Sequence, residues 1–192
     1  MLDAYKLAFS QTPPTVLRRG LLPFTLGHAY LLEAGENSFA IDSAKPPRLD
    51  DLFPAVHLCT LGFRDGIRFL SGTVDATEWA EACRDLDMAQ EAAMFRDYIS
   101  ASLTIPKRKT SGKPSKCRAP WALQLAAGLC DGGPLTRDAW TAAMDTPLSE
   151  AFVMLAARQA FQGDESLVAE DEAGILDFVK SQPGFEPVRT IQ

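Results

Sequence analysis

The segment that decides the fold class is MAQEAAMFRDYI, residues Met88 to Ile99. Its apolar side chains at Met88, Ala92, Phe95 and Ile99 recur at intervals of four, three and four positions. An α-helix completes a turn about every 3.6 residues, so this spacing places all four side chains on one face. We therefore predict an amphipathic helix that buries this face and ends before Pro106.

Helical spacing recurs on both sides of this segment. Leu52 and Val56 repeat at a helical interval, and the segment from Trp121 to Cys130 is apolar and rich in Ala and Leu. From Ala151 to Phe161 almost every residue is apolar, which predicts a helix at the centre of the core. No segment of five or more residues alternates as a half-buried strand does, although Ser38 to Ile41 is a candidate for brief pairing. The chain is therefore predicted to be all-α, with seven to nine short helices.

Several residues are typical of helix ends. The predicted starts are at Pro23, at Asp50 or Asp51, at Thr136, and at Thr146 with Pro147. Gly35 is a predicted stop. Pro54 fits only the first turn of a helix, so its helix is expected to begin near Asp51 or to kink at Pro54. Three further helices are predicted at Leu2 to Phe9, Thr73 to Arg84 and Val168 to Lys180.

The composition is that of a globular protein. The chain has 192 residues, of which 46% are apolar and 23% charged. Its net charge of −6 disfavours non-specific binding to nucleic acid or to an anionic membrane. The N-terminal sequence does not resemble a secretory signal, and no apolar run approaches the roughly 20 residues of a membrane helix. We expect a soluble, cytoplasmic protein with reduced, mostly buried cysteines.

A basic segment, IPKRKTSGKPSKCRAP, runs from Ile105 to Pro120 in this acidic chain. Its cationic residues are Lys107, Arg108, Lys109, Lys113, Lys116 and Arg118. The favoured interpretation is a solvated linker, followed by a docking loop for an acidic protein. Binding to nucleic acid is less favoured, because the segment has no aromatic residue to stack on bases and its prolines oppose a helix.

This basic segment divides the chain into parts. We expect residues 1–104 to form an N-terminal helical part and residues 105–119 a basic linker. Residues 120–182 are expected to form a C-terminal helical part, and residues 183–192 a flexible tail. The fold is thus predicted as two helical parts joined by a basic, proline-containing linker.

Residues suited to catalysis or metal binding are scarce. The two histidines, His28 and His57, are interpreted as packed or boundary residues, since neither belongs to an HExxH sequence. A zinc site of His57, Cys59 and Cys83 is not favoured, because Cys59 lies only two residues after His57 and the two side chains point to different faces of a helix. No GxSxG sequence or thiol–histidine arrangement indicates a nucleophile. We predict no catalytic, cofactor-binding or metal-binding residue.

Large aromatic residues are the candidates for contact with a partner, because tryptophan is enriched where binding energy concentrates. Core packing is the simpler interpretation of the tryptophans. The residues predicted to bind a partner are Trp79, Trp121, Trp140 and Phe185.

Two regions resemble a known family. LLPFTLGHAYLLEAGENSF (Leu21–Phe39), followed by LDDLFPAVHLCT (Leu49–Thr60), is similar to the opening of small helical proteins encoded among phage tail genes. WTAAMDTPLSEAFVMLAARQAFQGDESLVAEDEAGILDFVK (Trp140–Lys180) is similar to their end, with a Trp/Met helix, a Pro-Leu helix start and an acidic final helix. The chain thus resembles the tail assembly chaperone-like group of tailed bacteriophages. This resemblance implies binding to tape-measure or tail-tube subunits before assembly, and no enzyme activity.

The predicted function is therefore protein binding during phage tail assembly, as a chaperone or a structural subunit in the host cytoplasm or the virion. The expected partners are other protein subunits, either phage tail proteins or a second copy, with no membrane. The first alternative is a nucleic-acid-associated protein that binds through residues 107–118. The second is an enzyme of an unrecognised class.

Overall fold

The computed structural model describes residues 12–41, 43–72, 77, 83–103, 119–130 and 136–161. The predicted helices at Leu2 to Phe9 and Val168 to Lys180 lie outside these residues, as does nearly all of the one at Thr73 to Arg84. The basic residues 107–118, Trp79 and the tail from residue 183 also lie outside them.

Seven α-helices and one very short hairpin make up the described structure. The helices are α1 (Leu26–Ala34), α2 (Leu49–Leu58), α3 (Phe63–Leu70), α4 (Met88–Ser102), α5 (Trp121–Cys130), α6 (Arg137–Met144) and α7 (Leu148–Phe161); the strands are β1 (Thr15–Val16) and β2 (Arg19–Gly20). The prediction of an all-α fold is therefore confirmed. In the described ranges no helix is long and apolar enough to cross a membrane.

Helix α4 is the amphipathic helix that its spacing predicts. Ala92, Phe95 and Ile99 are buried, and Met88 packs at the edge of the same core. The carboxylate of Asp87 accepts hydrogen bonds from two backbone N–H groups of the first turn, at 3.0 and 3.2 Å. Since these amides have no partner within the helix, Asp87 sets where α4 begins.

Helix α1 begins at Leu26, so the predicted start at Pro23 is wrong by three residues. Thr25 Oγ1 accepts the His28 N–H, and His28 Nδ1 accepts the Thr25 N–H, both at 3.1 Å. This reciprocal capping box satisfies two amides at once, which a proline without an N–H cannot do. The helix ends at Gly35, as predicted.

Helix α2 begins at Leu49, and neither Asp50 nor Asp51 caps it. The Asp51 carboxylate instead accepts the Ser38 N–H at 3.2 Å, from the preceding loop. Both aspartates lie in the first turn, where the helix dipole favours negative charge. Pro54 lies inside the helix and not in its first turn, so of the two expected arrangements a start that places Pro54 in the first turn is wrong, and a kink at Pro54 stays a prediction.

Residues Ser38 to Ile41, in the loop before α2, form turns and a bend in place of a strand, so their candidate pairing is also wrong. The Asn37 side-chain oxygen accepts the Phe39 N–H at 2.9 Å, and its amide donates to the Asp51 carbonyl at 2.8 Å. These local bonds supply the partners that a strand would otherwise provide.

The hairpin reverses through Leu17 and Arg18, whose φ angles are +49° and +60°. A two-residue turn with both φ values positive matches the twist of two antiparallel strands, but it is costly for residues other than glycine, asparagine or aspartate. The Leu17 side chain is buried, and its N–H donates to Glu91 of α4 at 2.7 Å. These contacts hold the turn against α4.

The N-terminal and C-terminal helical parts share one hydrophobic core, to which α1, α2, α4, α6 and the start of α7 all contribute buried side chains. The backbones meet where Leu148 N–H donates to the Phe24 carbonyl at 2.7 Å, and Leu26 N–H to the Thr146 carbonyl at 3.1 Å. Gly27 permits this approach, because a Cβ there would lie 2.9 Å from the Met144 carbonyl oxygen and from the Phe63 ring.

Helix α7 departs from its prediction in two ways. Thr146 does not cap it, since its hydroxyl donates to the Ala142 carbonyl, and the Pro147 carbonyl accepts the Ala151 N–H. Among the side chains described, Ala151, Val153 and Leu155 are buried, whereas Met154 is 51% exposed. The helix therefore presents an apolar residue to solvent and is not buried all round.

Candidate protein-interaction surface

Four helices meet around a cleft of about 390 Å³, which we call the Trp140 cleft. Its apolar wall comes from α1, α3, α5 and α6, and consists of Tyr30, Phe63, Ile67, Leu123 and Trp140. Arg64, Arg137 and Thr141 complete the lining. An aromatic wall with a few polar groups at its edge is typical of a binding cleft.

Hydrogen bonds join two of the helices that line this cleft, α3 and α6. Thr136 caps α6 as predicted, since its hydroxyl accepts the Ala139 N–H at 3.1 Å. The Arg64 guanidinium donates to Asp138 at 2.6 Å and to the Thr141 hydroxyl at 3.0 Å, which joins α3 to α6. One exposed arginine thereby contacts two residues of α6, a link that contributes little free energy on its own.

Asp145, which follows α6, determines where α3 begins. Its carboxylate accepts the Phe63 N–H at 2.7 Å, although the two residues are 82 positions apart. Helix α3 has no other side-chain cap, because its preceding residue is Gly62. The C-terminal part of the chain therefore positions the helix that carries Phe63 and Ile67 into the cleft.

The cleft exposes apolar surface. Ile67 is 45% exposed, and Leu70, three residues further along α3, is also exposed. The rings of Tyr30 and Phe63 meet edge to face at 6.3 Å, so the aromatic wall is ordered by its own contacts. Apolar residues gathered at the edge of a cleft are a feature of protein interaction sites.

Trp121 borders a second cleft, of about 340 Å³, between α1, the loop after it and α5. Its ring lies nearly parallel to that of Phe152, at 6.5 Å and 8°. The other side of this cleft carries Glu33 and Glu36, and Glu36 pairs with Lys45 at 3.1 Å. Trp121 thus contacts Phe152 and also borders a cleft whose lining is mainly apolar, with two glutamates and a lysine among its residues.

Of the four candidate partner-binding residues from sequence, the structure describes two, and these two do not share a site. The structure places Trp140 and Trp121 in different clefts, and Trp79 and Phe185 lie outside the described residues. The six basic residues Lys107, Arg108, Lys109, Lys113, Lys116 and Arg118 lie outside them too. Sequence reasoning missed Tyr30, Phe63 and Ile67; a signal for one of them was Ile67 itself, an apolar residue between Arg64 and Arg68 in FRDGIRFL (Phe63–Leu70).

His28 is buried and serves the start of α1. Because its Nδ1 accepts the Thr25 N–H, the proton of the neutral ring is on Nε2, which donates to the Leu61 carbonyl at 2.9 Å. Burial lowers the pKa of His28, and the Leu61 carbonyl and Asp145 oppose this only in part. The ring is therefore neutral and has a hydrogen-bond partner at each nitrogen.

His57, in the last turn of α2, contacts two aromatic rings. Its ring lies 4.5 Å from that of Phe69 and 5.9 Å from that of Phe53. Arg19 donates to His57 Nδ1 at 2.9 Å, and its guanidinium lies over the Phe53 ring at 5.3 Å. His57 is thus held at the boundary of the core, as the sequence predicts.

The thiol of Cys59 is fully buried, and burial raises its pKa well above the ordinary value. Burial also raises the pKa of the neighbouring Tyr98, whose hydroxyl donates to the Leu22 carbonyl at 2.6 Å. A thiol in this environment remains protonated, which makes it a poor nucleophile and a poor metal ligand. In the part of the chain that is described, no three His, Cys, Asp or Glu residues are grouped to hold a metal ion.

Comparison of the chain with models of known protein families, with curated protein sequences and with solved structures found no match.

Proposed function

We propose that this chain is a non-enzymatic, protein-binding component of tail assembly in a tailed bacteriophage, acting as a chaperone or a structural subunit. The observation that supports this best is the exposed Ile67 in a cleft with aromatic walls. The resemblance of Leu21–Phe39, Leu49–Thr60 and Trp140–Lys180 to tail assembly proteins supplies the biological context.

The Trp140 cleft accounts for binding in physical terms. A partner side chain that fills it covers Ile67 and the rings of Trp140 and Tyr30, and removing apolar surface from water is favourable by about 25 cal/mol per Å². Two of the walls are already joined, because Asp145 after α6 accepts the Phe63 N–H of α3 and Arg64 contacts Asp138 and Thr141. An ordered site loses less entropy on binding than a mobile one.

The roles of the histidines support a non-enzymatic function. His28 caps α1 with one ring nitrogen and donates to a carbonyl with the other. His57 is held by Arg19 and by the rings of Phe53 and Phe69. A general base must be within reach of a substrate proton, and both rings are engaged in contacts that maintain the fold.

The proposed partners are tail-tube or tape-measure subunits, or a second copy of the chain, in the host cytoplasm or the virion. A pull-down with the tagged chain from cells that express the tail genes, with nuclease treatment and mass spectrometry, tests this. We expect nuclease-resistant recovery of tail subunits.

Two variants relate the result to the cleft. Ile67→Glu places a charge on the cleft wall, whereas Met154→Glu does the same at a similarly exposed apolar residue of α7. Tail subunits should be lost with the first variant and retained with the second. Recovery of nucleic acid, with proteins lost after nuclease treatment, would refute the proposal and direct attention to residues 107–118.

A further inference from the structure

The two helices that flank the Trp140 cleft carry an excess of positive charge. Helix α3 contains Arg64, Asp65 and Arg68, and α6 contains Arg137 and Asp138. These two helices have a net charge of +1, which Glu33 of α1 balances over the four helices that meet at the cleft; among the described residues that line the cleft itself, however, the charged side chains are Arg64 and Arg137. The local charge therefore favours an anionic group at the edge of the cleft.

The excess charge is located at Arg137. Arg64 pairs with Asp138 at 2.6 Å, and Arg68 pairs with Asp65 at 2.8 Å. The guanidinium of Arg137 is exposed and makes no ion pair with any residue that the structure describes. It lines the cleft together with Trp140 and Ile67, so a bound anion would lie beside an apolar contact.

This combination suits a peptide better than a nucleic acid. Affinity for nucleic acid comes mainly from several simultaneous contacts between cations and phosphates. At this cleft only Arg137 has no carboxylate partner among the described residues, and the Asp138 carboxylate beside it would repel a phosphate backbone. A single carboxylate next to an apolar side chain matches what the cleft offers.

We propose that the Trp140 cleft binds a short acidic segment of a partner protein, with an apolar side chain against Trp140 and Ile67 and a carboxylate on Arg137. The inference rests on the proposed protein-binding function and specifies the chemistry of the partner. Because Arg137 is at the exposed edge, it contributes selectivity and salt dependence more than total affinity.

Three synthetic hexapeptides test this inference on the full chain. They share a central Leu-Phe pair and differ only in their four flanking residues, which are Glu, Lys or Gln. The chain contains three tryptophans, so its indole N–H signals in a nitrogen-15 NMR spectrum are few, and Trp140→Phe assigns the relevant one. We expect the Glu peptide to shift the Trp140 signal in a saturable way and to leave the Trp121 signal in place.

Charge variants separate recognition from general attraction. Arg137→Gln should weaken the binding of the Glu peptide by up to about fivefold, as for an exposed ion pair, and leave the Gln peptide unaffected. Arg96→Gln removes an exposed arginine of α4, outside the cleft, and should change neither. Raising the salt concentration should remove the preference for the Glu peptide over the Gln peptide.

Several outcomes would overturn the inference. These are no Trp140 shift at millimolar Glu peptide, an equal response to the Lys peptide, an equal loss with Arg96→Gln, or a larger Trp140 shift with a short oligonucleotide. A second copy as the occupant would appear as concentration-dependent broadening of the Trp140 signal without peptide, and would also refute it. Because the assay uses peptides alone, the Glu peptide can bind even if the pull-down recovers no tail subunit, so the two proposals fail separately.

Discussion

Replacement of Gly27 by alanine should destabilise the protein although it lengthens a side chain by one methyl group. The new Cβ would lie 2.9 Å from the Met144 carbonyl oxygen, 2.9 Å from Cδ2 of Phe63 and 3.1 Å from its Cβ. One obstacle is backbone and the other is a buried ring, so neither moves aside at low cost. Helix α1 would have to shift away from α3 and α6.

The expected magnitude follows from two opposing effects. Overfilling a packed site costs about 1–3 kcal/mol, and here the added atom meets two groups at once, which favours the upper end. Alanine is a better helix former than glycine by about 1 kcal/mol, which offsets part of this cost. We expect the free energy of unfolding to fall by about 2 kcal/mol, which corresponds to roughly 4–8 °C in the melting temperature of a chain of this size.

Urea denaturation followed by circular dichroism measures this change, and Gly20→Ala provides the control. Nothing lies within 4 Å of a Cβ built at Gly20, in the short hairpin, so that variant should stay within about 0.5 kcal/mol of the original chain. If the Gly27 and Gly20 variants were equally stable, the close contact between the N-terminal and C-terminal helical parts at Gly27 would be wrong.

Two further predictions concern groups that hold these parts together. Burial lowers the pKa of His28, so below the ordinary value of about 6.5 the unfolded chain binds a proton that the folded chain does not. The free energy of unfolding should therefore be at its full value above that pH and should fall as the pH decreases from 7.5 to 5. His28→Gln should remove part of this dependence on pH. Asp145→Ala removes the acceptor of the Phe63 N–H and should lower the free energy of unfolding by about 1 kcal/mol. Asp145→Asn keeps an acceptor oxygen and should lower it by less. Equal losses of the two variants in urea denaturation would contradict the capping role of Asp145.

The sequence determined the elements that depend on local spacing. The apolar interval in Met88 to Ile99 identifies α4, and the segment Trp121 to Cys130 coincides with α5. Thr136 and Gly35 mark helix ends correctly, because a hydroxyl before a first turn and a glycine after a last turn act through adjacent backbone groups. Such signals need no knowledge of the rest of the chain.

Tertiary structure decided which competing partner each polar group takes. Asp51 turns its carboxylate to the loop before α2, and the acceptor for α3 comes from Asp145, far along the chain. The start of α1 depends on a histidine at the position where a capping box usually has Glu or Gln. Local pattern alone does not rank these choices.

The exposure of one side of α7 was also not predictable from the sequence. A helix with apolar residues on most of its surface is expected in the middle of a core, yet Met154 faces solvent. Hydrophobicity determines the free-energy cost of exposing a side chain to water, whereas the neighbouring helices determine whether that side chain is covered.

The Trp140 cleft shows the same limit for the candidate site. Tryptophan at position 140 was identified from sequence as a residue for partner contact, but its neighbours Tyr30, Ile67 and Leu123 come from three other helices. Periodicity specifies which face of each helix is apolar and does not specify which faces meet. The sequence alone thus determined an all-α chain and several of its helical segments, and only the packing of α1 against α3, α5 and α6 created a cleft, because contacts between distant residues depend on the whole core.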